Sequence, residues 1–575
     1  MRGCKSISVG LGVVLTTIVF VLSNGTPLAA APPQQSGVKG PFAIMSVQVA
    51  SFDGNVRELP TPGASAAARA REAPRQRRRN SAPALTRLPV PTDQPADVAG
   101  RVRAPHTIRN FDGLDISAGG WWMPPDPNGD VGPNHYVQAV NIAIGIYDKT
   151  GTQLAAFSFD ALFASGFAPC NSRNYGDPIV LYDAISGRWL ASDFAWLSSS
   201  GPFYQCIAVS KTADPVSGGW WLYTIDVSDS GTPGVYWFND YPKLAVWADG
   251  IYMSADMFDA TGSTLQTVRV FAFNRDDLVS GAPTGLRSGV FDVYGGYIHL
   301  LPSNLRGALP PPGTPNFFAS IDEPNLLRLW KFQVTSWGPP VIASLTGPTN
   351  LAVNGFAMPC YAASIWLCVP QLGVDQRVDA LGDRLMMQLQ YRNFGGVESL
   401  WVNHSVAANA AVGSPIGVRW YEIRTPNGSP TVYQQGTFQP DSNYRWMGSL
   451  AIDGQGNMAL GYSISSANMY PAIRYAGRWA TDPLGKLCVP ETSLIEGTGS
   501  QTGTYGYRWG DYSAMTIDPT DDHTFWYTNQ YLATTSGSWR TRIGSFKLSN
   551  NAAPPAGAYI YYFPIVANSA SPVCH

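Results

Sequence analysis

Residues Tyr505–Tyr531 read YGYRWGDYSAMTIDPTDDHTFWYTNQY, and sixty-three positions upstream a paler version, YRWMGSLAIDGQGNMALGYS, occupies Tyr444–Ser463. Both set Arg-Trp ahead of an alternating apolar run, and both reach an aspartate at a polar turn (Asp453, Asp518). Both then resume in a second run of aromatic or small residues. Alternation with a period of two is the signature of a half-buried strand, and a strand–turn–strand unit recurring at long spacing marks a repeat architecture.

The same spacing separates Asp177, in the segment Tyr175–Pro178, from Asp240, in Asn239–Lys243. Between them lie IVLYD, RWLASDFAW, YQCIAVSKTADP and WWLYTIDV, four strands joined by short turns, which is one blade of a β-propeller. Counting a first unit at Asp126, with HYVQAVNIAIGIYD (His135–Asp148) as a strand, the chain divides into seven four-stranded blades, with six or eight as alternatives. The fourth is the vaguest, with YIHL (Tyr297–Leu300) and NFFASIDEPNLLRLWKF (Asn316–Phe332) as its strands. Later blades open at Asp383, Arg445 and Arg508. The ring is expected to close by pairing a strand within Thr107–Gly119 with the last blade. Fold class is therefore all-β, and radial repetition explains how so long a chain avoids exposed sheet edges.

Composition agrees. The 575 residues include 58 Gly, 46 Pro, 18 Trp and 27 Tyr, and only 14% are charged, as many turns and flat strands require. The net charge of -2 conceals an asymmetry: residues 1–109 hold 14 of the 38 Lys+Arg and 5 of the 40 Asp+Glu. The rest carries 24 basic and 35 acidic groups. An acidic body excludes nucleic acid as partner, since phosphate binding needs a positive face.

Residues 1–31 read as a signal peptide: Arg2 and Lys5, an apolar stretch Val9–Leu22, then Ala29–Ala31 for cleavage. An uncleaved anchor is the alternative that the length permits. Residues 32–109, rich in Pro, Ala and Arg, read as a disordered linker or pro-segment. Within it Phe42–Val49 alternates like a strand but has no evident partner. The propeller spans 110–548, and 549–575 forms a tail with one apolar strand, Ala558–Asn568. Export allows disulfides, and loop length favours Cys170–Cys206 and Cys360–Cys368, leaving Cys488–Cys574 among fifteen possible pairings. The product is expected to be a secreted or cell-surface monomer with no membrane span after cleavage.

The segments CVPQLGVDQRVDALGDRLMMQLQYRNFGGVESLWVNHSV, GVRWYEIR, RWMGSLAIDGQGNMALGYS and RWGDYSAMTIDPTDDHTFWYTNQY resemble a widespread set of secreted bacterial proteins. These have a sialidase-like or generally β-propeller body. PDPNGDVGPNHYVQ and DYPKLAVW resemble the same set, so the likeness runs from about Pro125 to Leu548. The resemblance implies fold and export, and no activity. It also implies a cysteine at the position of His523 in other members, and thus a disulfide missing here.

Ligand-facing side chains converge where inner strands begin, and this chain places Asp130, Asp177, Asp240, Lys243, Arg384, Arg445, Arg508 and Asp511 there. Guanidinium forks match carboxylates, so Arg384, Arg445 and Arg508, with Lys243, are candidate ligands for an acidic sugar. Asp177, Asp240 or Asp511 would serve as acid or base, with Tyr512 as a nucleophile of the sialidase type. The competing reading pairs Arg445 and Arg508 with Asp240 and Asp511 in a network that holds blades together. The repeated Ser-x-Asp-x-Gly-x-Thr-Trp turn of true sialidases is absent, which argues against that enzyme. Asp126, Asn128 and Asp130 have the oxygen spacing of a calcium loop, but Val131 and Val137 stand where its Gly and Glu belong. No other cofactor is expected, and His135, His299, His404 and His523 are scattered strand residues. Three functions remain: a glycan- or protein-binding propeller, a hydrolase or lyase of acidic sugars, and a structural surface component.

Overall fold

The alternating runs become seven antiparallel sheets whose first strands touch in a closed circle. Asn128–Val131 lies against Asn174–Asp183, and that against Trp237–Val246. The circle continues through Leu301–Leu305, Met386–Phe394, Tyr444–Ile452 and Ala514–Ile517 back to Asn128–Val131. Each of these strands opens a sheet that runs outward through three more, so the molecule is a seven-bladed β-propeller. The computed structural model describes residues 37–62 apart from 43 and 45, 71–72, 105, 107–119, 122–360, 367–408, 414–504, 506–548 and 574–575. The leader at 1–31 and the strand expected at Ala558–Asn568 lie outside them.

Closure uses the chain's own beginning: Thr107–Asp115 pairs antiparallel with Arg540–Phe546 as the outer strand of blade seven. The motif tryptophans explain why Arg-Trp recurs. Trp446 and Trp509 are fully buried and meet edge to face at 5.5 Å, in a cluster with Met386, Ile416 and Leu532. The aspartates that follow make their turns: Asp453 accepts from the N–H groups of Gln455 and Asn457, and Asp518 from that of Thr520.

Inner strands are short and present backbone groups to their neighbours, and buried polar groups must be paired. Polar side chains do this around the ring. Asn128 and Asp130 accept from the N–H groups of Val180 and Tyr182, both at 2.8 Å. Asn304 accepts from Val246, and Ser449 from Met515. Gln390 accepts from and donates to the backbone of Ile452, at 2.7 and 2.9 Å. Blades four and five go further, since Ser303–Leu305 pairs directly and in parallel with Leu389–Tyr391.

Three expectations are corrected. His135–Asp148 is two strands, His135–Val140 and Ala143–Asp148, because Asn141 turns the chain while its side chain bonds to neighbouring segments. The inner strand of blade four is Leu301–Leu305 rather than Tyr297–Leu300, because His299 passes through the left-handed region at φ 55° and cannot continue a strand. Most of all, 32–109 is not a spacer throughout. Val47–Phe52 adds a fifth strand to blade two against Trp220–Ile225, and Gly37–Phe42 a fifth to blade three against Val290–Tyr294. Val56 is buried, and Thr107–Arg109 belongs to the closing strand. A composition averaged over the whole segment hides six-residue strands whose partners lie far along the chain.

Disulfides join Cys170 to Cys206, Cys360 to Cys368 and Cys488 to Cys574. Among the described residues no helix is long and apolar enough to cross a membrane.

Candidate functional site

At six blade entrances the chain passes through the left-handed region on a residue other than glycine: Asp126 (φ 46°), Asp177 (53°), Tyr241 (53°), His299 (55°), Leu381 (41°) and Met447 (49°). In blades two, three and six the register with the second strand slips at this point, the mark of a bulge. Such backbone costs about 1–3 kcal/mol per residue and persists where surrounding contacts over-determine it. Its effect is to re-aim side chains at the mouth of the channel.

There the structure brings together Asp126, Asp177, Asp240, Lys243, Arg384, Arg508, Asp511 and Tyr512. Asp126 Oδ1 accepts from the N–H of Asp511 at 2.6 Å, tying blade one to blade seven. Gly510 is required for this approach, because a Cβ there would lie 2.8 Å from the Pro127 ring. Asn141, which the sequence did not single out, joins blades one and two by donating to Asp126 at 2.8 Å and accepting from the N–H of Asp177 at 3.0 Å. Lys243 Nζ sits 3.4 Å from the ring centre of Tyr241 and 4.3 Å from that of Tyr512. The Arg384 guanidinium also rests on Tyr241, at 4.4 Å.

Crowding of like charges out of water sets the electrostatics. Burial, then the charge of Asp511, pushes Asp126 up to about 7. Burial and Asp256 push Asp240 up to about 6. Asp177 rises well above the usual carboxylate range through burial and Asp240. Burial lowers Lys243 to about 8 against the opposing pull of Asp177. Asp240 is half-buried and retains contact with solvent.

A second group was missed in the sequence because its members are far apart and belong to three blades. Asp256 Oδ1 accepts the backbone N–H of His299 at 2.8 Å, and its Oδ2 contacts His299 Nδ1. His299 Nε2 faces Asp383 Oδ2 at 3.9 Å, and Asp383 is ion-paired with Arg384 at 2.8 Å. Asp383 also lines a cavity of about 400 Å³ at the top of blade four, with Gly295–Ile298, Ser320, Asp322, Arg328 and Met358.

Other expected roles are not supported by the geometry. Arg445 is away from the mouth: it is fully buried against Asp441 and Glu491, at 2.7 and 2.8 Å, in a network with Tyr462 and Arg474. The two Arg-Trp copies diverge because Tyr444–Ile452 is strand from its first residue, whereas strand structure in blade seven begins only at Ala514. Arg508 pairs with Asp511 as the network reading expected, but Arg445 does not pair with Asp240. Tyr512 donates its hydroxyl to the carbonyl of Pro178, and burial with the charge of Asp177 raises its pKa, the opposite of what a nucleophile needs. The calcium loop is occupied by protein donors. Asn128 and Asp130 accept from blade two, Asp130 also from Thr516 and Arg306, and Asp126 from Asp511 and Asn141. That donor set does not make an oxygen cage.

Fold and site together define a seven-bladed β-propeller with a carboxylate-rich channel mouth. No family model matches the chain, and comparison with curated proteins finds no match. Among solved structures it is similar to the Hadza microbial sialidase Hz136, at 12% identity and a TM-score of 0.33, over 72% of this chain and 73% of that one. The phage phi92 endosialidase gives 8% and 0.37, over 79% and 71%. An α-L-arabinofuranosidase from Lactobacillus brevis gives 9% and 0.26, over 68% and 95%.

Proposed function

We propose that the protein binds a glycan at its channel mouth. The observation that carries this reading is the convergence of six carboxylates (Asp126, Asp177, Asp240, Asp256, Asp383, Asp511) with two tyrosine rings, beside a cavity large enough for a sugar. Asp240, which keeps contact with solvent, and Asp383, which lines the cavity, are placed to accept hydrogen bonds from sugar hydroxyls. The same observation selects against an acidic ligand. Arg384 is paired with Asp383 and Arg508 with Asp511, while Arg445 lies elsewhere, so the carboxylate clamp expected from sequence does not form. The apolar leader and three disulfides support an extracellular site of action. Titrating the purified protein with matched neutral and acidic oligosaccharides tests the reading. Neutral sugars are expected to bind and Asp240→Asn to weaken them; binding confined to acidic sugars, or none, overturns it.

Glycoside hydrolysis is a second reading, favoured by one observation: the carboxylates divide into two environments. Asp126 and Asp240 are pushed toward protonation near neutral pH, whereas Asp383 and Asp511 face guanidinium groups. A protonated acid beside an ionised carboxylate is the pair that glycosidic cleavage needs. Chromogenic neutral glycosides assayed between pH 5 and 7 would reveal it, and turnover unaffected by both Asp126→Asn and Asp240→Asn would remove it.

A further inference from the structure

The cavity at the top of blade four has a more specific character than the mouth as a whole. We infer that it is a subsite for one uncharged sugar ring, with Asp383 accepting a hydroxyl and Tyr297 as the aromatic wall. The inference rests on the glycan reading and adds the place and the ligand class.

Volume comes first. About 400 Å³ lies at the lower end of the range for small-molecule sites, which suits one or two sugar rings rather than a long chain. Charge comes next. The ionised groups on the wall are paired: Asp322 with Arg328, and Asp383 with Arg384. A charged sugar would meet no uncompensated partner and would have to leave water to enter, so an uncharged one is favoured.

Asp383 is held in a fixed orientation. Arg384 holds Asp383 from one side, Nε to Oδ1 at 2.8 Å and Nη2 to Oδ2 at 3.3 Å. His299 faces it from the other and is itself fixed by Asp256 through both backbone and ring. His299 is 6% exposed and is not itself part of the cavity wall. Asp383, held in this way, lines the cavity and presents a carboxylate acceptor to it. A sugar hydroxyl can donate to that carboxylate, which an apolar ligand cannot do.

The wall and rim agree. Tyr297 is half-buried, held edge-on by Trp330 at 5.0 Å and by the Arg328 guanidinium at 5.2 Å. Gly295, at φ 121°, lies so close that a Cβ would stand 2.9 Å from the Tyr297 ring. The two exposed glycines beside it leave the entrance without side chains.

The test uses the full folded protein titrated with neutral methyl glycosides and their uronic acid counterparts, followed by calorimetry and ligand-observed NMR. Three variants accompany it: Met358→Trp to fill the cavity, Tyr297→Ala to remove the wall, and Asp240→Asn at the mouth, each with its melting temperature. A neutral glycoside is expected to bind, and Met358→Trp and Tyr297→Ala each to weaken it at least about tenfold while the protein stays folded. If Asp240→Asn weakens binding while the two cavity variants do not, the subsite is wrong and the mouth reading stands. If no glycoside or oligosaccharide binds the parent, both fall. Preference for the uronic acids overturns the uncharged class alone.

Discussion

Gln390 commits both ends of its amide to Ile452 of the next blade, and it is fully buried. Replacing it with alanine leaves an N–H and a carbonyl buried without partners. The expected cost is about 2–4 kcal/mol, read as a lower urea midpoint. Gln390→Met, which keeps the volume, should recover little of it; full recovery would mean that packing rather than hydrogen bonding holds the inner ring. Asn128 and Asp130 have the same role on the other side of the axis. A chelator is therefore expected to leave the melting temperature unchanged, and a chelator-dependent drop reversed by calcium would return Asp126, Asn128 and Asp130 to the metal reading.

At the scale of elements, the entrance bulges turn an ordinary repeat into a site. A regular inner strand would alternate its side chains between faces; the left-handed residue at six of the seven entrances breaks that alternation and directs several polar groups to one place. The added strands at Val47–Phe52 and Gly37–Phe42 act at the opposite end of the blades, covering the outer edges of blades two and three. A truncated chain beginning at Thr61 should melt at lower temperature and associate with rising concentration, as uncovered edges do. Unchanged melting and a monomeric elution profile would show those edges to be safe without cover. Loss of the Cys170–Cys206 bond, whose ends are 36 residues apart, should cost about 4 kcal/mol on chain-entropy grounds. Thermal melts of the Cys170→Ser/Cys206→Ser double variant measure it.

Across the whole molecule, charge buried at the axis couples stability to pH. Asp126 at about 7 has a folded-state pKa above the unfolded value near 4. Between those values the folded protein binds more protons than the unfolded chain, so this group's contribution falls as pH rises from about 4 to 7. Lys243, lowered to about 8, acts in reverse: its penalty is present below 8 and is lost as pH rises toward 10.5. Asp126→Asn should therefore flatten the parent's loss of melting temperature between pH 4 and 7. Parallel profiles for parent and variant would contradict the placement of a burdened carboxylate at the mouth.

Period-two alternation, polar turns and the sixty-three-residue spacing determined the propeller and its closure by a strand within Thr107–Gly119, because both follow from local pattern repeated along the chain. Cysteine spacing pointed to the three pairings for a similar reason. What only the tertiary structure decided was which polar residues share a place. Arg445 and Arg508 occupy the same motif position, yet one reaches outward to Glu491 and the other meets Asp511 at the axis. Asp256, His299 and Asp383 lie in three blades, and nothing along the chain joins them. The fold repeats with the sequence, but the site is made of departures from that repeat, and those become visible only when seven entrances are brought around one axis.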